Sequence, residues 1–333
     1  MKSDPDSWCP YGEPSCLDPC GPRPGTGDDN RIEDFMSRSL AMTRRKVTTT
    51  TLAQMRERDE PIAMATAYDA TFASLLDGSG IDILLVGDSL GMVIQGQSTT
   101  LGVTMDHMVY HTACVARGAT HSMVVADLPF LSYQVSPEEA LRNGGRLIAE
   151  GGAQAVKLEG GHAVAETVTR IVNAGIPVMG HIGLTPQSVH QLGGFRAQGK
   201  DAESARRLVE EAKALQDAGA FSLVLECVPG PLAELITKEL HIPTIGIGAG
   251  VHCSGQVLVS YDMLGMNEGF KPRFLKTYDT LADRIKEATG AYVSEVKSRA
   301  FPGEEHTIGG TAPVPTPIAH DDSSIPLYGG GKK

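Results

Sequence analysis

Four times along this chain a short apolar run stops at a carboxylate. That repetition constrains the fold more than any single motif does. Ile83-Leu84-Leu85-Val86 leads into Gly87-Asp88-Ser89, and Met123-Val124-Val125-Ala126 into Asp127-Leu128-Pro129. Ala155-Val156-Lys157-Leu158 leads into Glu159-Gly160-Gly161, and Leu223-Val224-Leu225 into Glu226-Cys227. Apolar runs of this length suit strands buried on both faces, as in a parallel sheet. An Asp-Ser pair after a strand can simply cap the next helix. In an α/β barrel, however, the C-terminal strand ends converge on one mouth, so acids recurring there point to chemistry.

The rest of the chain supplies the strands such a barrel needs. Beta-like runs at Ile62–Ala67, Ile83–Val86, Met123–Ala126, Ala155–Leu158, Pro177–His181, Leu223–Leu225, Pro243–Ile247 and Val257–Ser260 alternate with helical patterns. Pro137–Glu150 opens with Ser136 and Pro137 as N-cap and first-turn residues, and Asp201–Ala218 is closed by Gly219. Eight strands predict an α/β chain folded as a closed (β/α)8 barrel, with an open doubly wound sheet as the alternative. Residues 1–45 and 307–333 are rich in Pro, Gly, Asp, Ser and Thr without apolar period, and are expected to be a disordered leader and tail. The catalytic barrel is expected over 46–306.

Charge and cysteine content exclude several classes. A net charge of -11 without a basic cluster argues against nucleic acid, and an anionic substrate would need local positive charge. No apolar run approaches the length of a membrane span, and the N-terminus lacks a secretion signal. A cytoplasmic location is expected, with organellar import left open. Of the six cysteines, Cys9, Cys16 and Cys20 sit in the leader without a C-x-x-C pair or a nearby histidine, so a structural zinc is not expected.

Within the repeated pattern, Lys157 and Glu159 lie two apart and so share one side of their strand. Two charges there need each other, a metal or a ligand; a bracing Lys157–Glu159 ion pair is the plain structural reading. Asp88, Asp127 and Glu159 together form a hard, all-oxygen cluster of the kind Mg²⁺ prefers. His181 ends the fifth strand, where it can bind substrate or satisfy a buried carbonyl. Gly246-Ile247-Gly248-Ala249-Gly250 is too loose for a dinucleotide fingerprint and reads as a tight barrel loop that admits close approach.

Seven blocks in order, DILLVGDSLG (82–91), ADLPF (126–130), VKLEGG (156–161), GHIGLTPQS (180–188), LECVP (225–229), GIGAG (246–250) and PGEEH (302–306), resemble the ketopantoate hydroxymethyltransferase family over nearly the whole domain. The resemblance implies a (β/α)8 TIM barrel of the phosphoenolpyruvate mutase/isocitrate lyase-like kind. It implies Mg²⁺-dependent transfer of a one-carbon unit from 5,10-methylenetetrahydrofolate to 3-methyl-2-oxobutanoate, giving 2-dehydropantoate for pantothenate synthesis. By motif, Asp88, Asp127 and Glu159 would serve the metal and Glu226 would be the catalytic base. By the same motifs Ser89 and Lys157 would hold the keto acid, with Asp88, Asp127 and His181 as further candidate substrate contacts. The family also implies a large homo-oligomer, often a decamer. Where family members commonly carry aspartate before Gly-Gln, this chain has Ser254, expected to act as a replacement helix cap with any folate contact put in doubt. Both tails exceed the compact bacterial pattern. A related Mg²⁺-dependent 2-oxo-acid lyase or mutase, and a non-catalytic barrel scaffold, are the competing readings. The VKLEGG and LECVP blocks, and the presence of all five charged residues, argue against them.

Overall fold

The computed structural model describes residues 45–269 and 272–308. Almost all of the expected leader and tail, including Cys9, Cys16 and Cys20, lies outside the described residues. Eight strands pair in parallel in chain order: β1 (Ile62–Thr66), β2 (Ile83–Val86), β3 (Met123–Asp127), β4 (Ala155–Lys157), β5 (Val178–Gly183), β6 (Ser222–Glu226), β7 (Thr244–Ile247) and β8 (Gly255–Leu258). The ring closes where Ile62 to Ala65 of β1 lie in register with Gly255 to Leu258 of β8. Closure removes the doubly wound alternative.

Strand edges differ from the sequence pattern where polar residues carry the pairing. β8 begins at Gly255, two residues before the expected apolar start, because Ile62 N–H donates to the Ser254 carbonyl at 2.9 Å and pairing runs on from there. Ser254 is not the expected helix cap. Its hydroxyl accepts from Thr244 N–H, and its own N–H donates to Thr244 Oγ1, both at 3.2 Å, so it stitches β7 to the start of β8.

Strand side chains alternate between two environments. Ile62 and Met64, Ile83 and Leu85, Met123 and Val125, Ala155, Met179, Val224, Ile245 and Val257 fill the barrel interior, joined by Leu52 and Met55 of the N-terminal helix Thr49–Glu57. Leu84, Val86, Val124, Ala126, Val156, Val178, Leu223 and Leu225 pack outward against the helices. Continuing the interior parity by one step places Asp127 after Val125, Lys157 after Ala155, His181 after Met179 and Glu226 after Val224. An apolar residue at each place would contribute roughly 1.5–3 kcal/mol by burial. The barrel forgoes that stabilisation at its mouth.

The helices start where the caps direct. Ser136 Oγ accepts from Glu139 N–H at 3.1 Å at the head of Pro137–Ala149, and the Asp201 carboxylate accepts from Glu203 and Ser204 N–H at 3.1 and 2.9 Å at the head of Ala202–Asp217. No described helix is long and apolar enough to cross a membrane. The helix Leu281–Ser298 has no buried residue.

Candidate active site

Strand register brings the charged residues together. Asp127 and Lys157 are direct partners between β3 and β4, and Lys157 Nζ lies 3.0 Å from Asp127 Oδ1. The ion pair of Lys157 is therefore with Asp127 across the strands, not with Glu159 along its own. Lys157 Nζ also lies 3.4 Å from His181 Nδ1 on β5. His181 in turn stands between two acids, with Nδ1 3.4 Å from Glu159 Oε1 and Nε2 3.3 Å from Glu226 Oε2. Asp88 joins through its backbone, whose N–H donates to Asp127 Oδ2 at 3.1 Å. Asp88, Asp127, Lys157, Glu159 and His181 are all buried, while Glu226 keeps 18% of its side chain exposed.

Local backbone geometry holds Glu226 in place. Leu184 N–H donates to the Glu226 carbonyl at 2.8 Å, and the preceding Gly183 has φ +96° with room for no side chain, since a Cβ there would lie 2.3 Å from that carbonyl oxygen. On the other side, Cys227 takes φ +51°, a left-handed conformation that costs a non-glycine residue about 1 kcal/mol or more.

Burial and crowding set the charges. Asp88 is pushed up to about 8, first by burial and then by the charges of Asp127 and Glu159. Burial also raises Asp127, with Lys157 opposing it. Burial disfavours the Lys157 ammonium, but the surrounding carboxylates, Asp127 foremost, override this and hold the lysine above its usual range. For His181, burial and Lys157 oppose protonation, yet Glu159 and Glu226 outweigh them and raise it to about 9, so it is an imidazolium at neutral pH. Burial works against Glu159 ionising; the hydrogen bond and charge of His181, with Lys157, keep it below its ordinary value.

These residues fit a small hard cation beside Asp88 and Asp127. Asp127 Oδ1 is buried and faces the Lys157 ammonium at 3.0 Å without a conventional hydrogen-bond partner. A cation would also relieve the repulsion that raises Asp88. Among the described residues no three Asp, Glu, His or Cys side chains converge on one metal position. Mg²⁺ commonly takes one or two carboxylates and completes its shell with waters and substrate oxygens, so a pair suffices. The Glu159 carboxylate is engaged by His181 and by Gln187 N–H at 3.0 Å.

Above this floor opens a cavity of about 670 Å³, walled also by Thr66, Ser89, Met92, Phe195, Asp262, Glu268, Arg273 and Phe274. Ser89 faces it with its Oγ 2.9 Å from the Tyr68 hydroxyl.

A family model described as ketopantoate hydroxymethyltransferase matches residues 46–304. The chain belongs to this family. The 3-methyl-2-oxobutanoate hydroxymethyltransferase of Syntrophus aciditrophicus (strain SB) is 58% identical over 263 residues, covering 79% of this chain and 97% of that protein. The protein of the same name from Anaeromyxobacter sp. (strain Fw109-5) is 52% identical over 87% of this chain and 97% of its own length. Among solved structures, the phosphoenolpyruvate phosphomutase from Streptomyces platensis subsp. rosaceus superposes with a TM-score of 0.51 at 15% identity, over 78% of this chain and 92% of that one. Phosphonopyruvate hydrolase, solved with oxalate and Mg²⁺, gives 0.50 at 10% identity over 78% and 92%. Such likenesses concern the fold alone, a closed barrel similar to that of phosphoenolpyruvate phosphomutase.

Within the hydroxymethyltransferase site, sequence reasoning missed Gln187, Tyr133 and Tyr68. Gln187 Nε2 donates to Asp88 Oδ2 at 2.9 Å and to the Leu128 carbonyl at 3.0 Å, so this one residue ties the ends of three strands together. Tyr133 OH donates toward Gln187 Oε1 at 2.8 Å or the Glu159 carbonyl at 3.1 Å, and accepts from Glu159 N–H at 3.2 Å. The signal for Gln187 was its place in the TPQS block. Neutral residues give no charge anomaly to notice.

Proposed function

We propose that this barrel transfers a hydroxymethyl group from 5,10-methylenetetrahydrofolate to 3-methyl-2-oxobutanoate, giving 2-dehydropantoate for pantothenate synthesis. The observation that carries the reading is the buried row Asp127–Lys157–His181–Glu226 on the cavity floor, beside the paired Asp88 and Asp127. Asp88 and Asp127 would hold Mg²⁺, with Glu159, engaged by His181 and Gln187, adding negative charge nearby rather than a ligand. When bound, the ion supplies Lewis acidity that polarises the keto group and acidifies the adjacent C–H, worth several kcal/mol.

The chain's own residues supply the rest. Lys157 offsets the negative charge of the keto acid, and Ser89, held by Tyr68, offers a hydrogen bond to it. Glu226 is the partly open carboxylate at the end of the row, and takes the C3 proton. His181 positions that carboxylate and separates it from Glu159. Water adds to the carrier's methylene carbon, both C–N bonds break as the two amines of tetrahydrofolate end protonated, and formaldehyde is released beside the carbanion. The C3 carbanion then adds to the formaldehyde carbon, and the proton held by Glu226 passes to the new alkoxide, leaving the hydroxymethyl group and the free carboxylate.

The catalytic unit is residues 46–306, working as a homo-oligomer in the cytoplasm. In support of association, the helix Leu281–Ser298 exposes Ile285, Tyr292, Val293 and Val296, which a second copy would cover. The test of the activity is incubation with 3-methyl-2-oxobutanoate, methylenetetrahydrofolate and Mg²⁺, followed by NMR. Appearance of 2-dehydropantoate, abolished by chelation, is expected; its absence with correctly folded protein overturns the proposal.

A further inference from the structure

The proposed reaction leaves part of the cavity unexplained. At about 670 Å³ it exceeds what a five-carbon acid fills and lies in the range of drug-sized ligand sites, roughly 300–1,000 Å³. Its walls carry Asp88, Asp127, Glu159, Glu226, Asp262 and Glu268, in a chain of net charge -11. An anionic co-substrate meets repulsion there unless a cation receives it. Lys157 is taken up by Asp127 and the keto acid, and His181 by Glu159 and Glu226. Arg273, on the rim, has no ion pair or hydrogen bond among the described residues.

The GIGAG loop explains how Arg273 is presented. Gly248 has φ +63°, and a Cβ on it would meet the Phe274 ring at 2.8 Å. Only glycine lets that ring lie against the loop, which fixes Pro272 to Leu275 at the cavity edge. Phe274 and Phe195 remain 39% and 57% exposed beside the cavity, an apolar aromatic edge next to one free guanidinium. The chemistry this suits is a flat aryl group ending in a carboxylate: rings pack on rings, and the guanidinium fork matches a carboxylate in a bidentate fashion.

We infer that Arg273, set on the rim by Phe274 against the Gly246–Gly250 loop, binds the glutamyl carboxylate tail of the one-carbon carrier. The inference rests on the proposed co-substrate, and its test separates the two. Full-length wild type, Arg273→Gln and Arg273→Lys are assayed with methylenetetrahydrofolate and with methylenetetrahydropteroate, which lacks the glutamate. Arg273→Gln should raise KM for the glutamylated carrier roughly tenfold. It should leave KM for the keto acid, Mg²⁺-dependent exchange at C3 and use of the pteroate carrier unchanged, with Arg273→Lys intermediate. The wild-type preference for the glutamylated carrier should also weaken with salt. Equal losses with both carriers, a change confined to the keto acid, or no change at all overturns the assignment. If the wild type does not exchange the C3 proton, the proposed function fails instead. Fluorescence titration of wild type and Arg273→Gln with tetrahydrofolate then decides on Arg273 alone: tighter binding to wild type supports it, and equal or no binding overturns it.

Discussion

Replacing Gln187 by leucine keeps the side chain's approximate volume while removing its four polar contacts. Its Nε2 donates to Asp88 at 2.9 Å and to the Leu128 carbonyl at 3.0 Å, and its Oε1 accepts from Tyr133 OH at 2.8 Å and Gln134 Nε2 at 3.2 Å. The last two donors have other recourse: Tyr133 OH also reaches the Glu159 carbonyl at 3.1 Å, and Gln134 is exposed to water. The first two acceptors are buried and have none of comparable quality. Above about pH 8, where Asp88 is ionised, losing the bond to its carboxylate costs about 1.5–3 kcal/mol, and orphaning the Leu128 carbonyl about 1 kcal/mol more. Together they predict a loss of about 3 kcal/mol, a fall in Tm of roughly 10 °C for a domain of this size. Gln187→Leu should also weaken metal binding. Its amide favours the ionised form of Asp88, which burial and neighbouring charge already push up to about 8. Without that donor Asp88 holds its proton more tightly, so half-maximal Mn²⁺ binding moves to higher pH. Calorimetry and a Mn²⁺ titration across pH 6–9 measure the two effects. A Tm within about 2 °C of wild type, together with an unmoved Mn²⁺ profile, would refute Gln187 as the tie between Asp88 and its neighbours.

Three further outcomes are expected. Glu226→Gln should bind Mg²⁺ and keto acid nearly as wild type while losing turnover, because it keeps shape and removes the base; undiminished kcat rules Glu226 out. Asp77, far from the mouth, is buried; although burial opposes its charge, bonds from Ser122 N–H at 2.6 Å, Ser122 Oγ at 2.7 Å and Thr120 Oγ1 at 2.8 Å hold it well below the usual carboxylate range. Its contribution is fully present above about pH 4 and declines as pH falls through the depressed native value, so Asp77→Asn should cost about 3 kcal/mol at pH 7 and progressively less in acid. A pH-independent difference in chemical denaturation would contradict this. Mg²⁺ at about 100 times its Kd should stabilise the protein by about 2.7 kcal/mol, reversed by EDTA, and an unchanged Tm would speak against an ion between Asp88 and Asp127.

The barrel was legible because its strands are uniform. Buried parallel strands such as Ile83–Val86 write themselves as unbroken apolar runs, and departures at the ends of Met123–Asp127, Ala155–Lys157 and Ser222–Glu226 stand out against them. Closure followed from the count of eight strands, but the β1–β8 register did not, because half of it runs through Gly255 and Gln256, which carry no strand signal. Pairing partners within the site were hidden for a related reason. Spacing along one strand suggested Lys157 with Glu159, whereas inter-strand register, invisible in sequence, sets Lys157 against Asp127. The Ser254 position misled because its partner, Thr244, belongs to the neighbouring strand. Gln187 and Tyr133 act through neutral hydrogen bonds across long sequence separations, and neither periodicity nor charge marks them.

The floor of this cavity is expected to remove the C3 proton of a 2-oxo acid. Hydrogen exchange at C3 of 3-methyl-2-oxobutanoate in D₂O, followed by NMR with and without Mg²⁺ and before any folate is added, tests it most directly. Exchange that requires Mg²⁺ and disappears in Glu226→Gln is the predicted result. No exchange in the Mg²⁺-loaded wild type, or exchange that persists in Glu226→Gln, would contradict it.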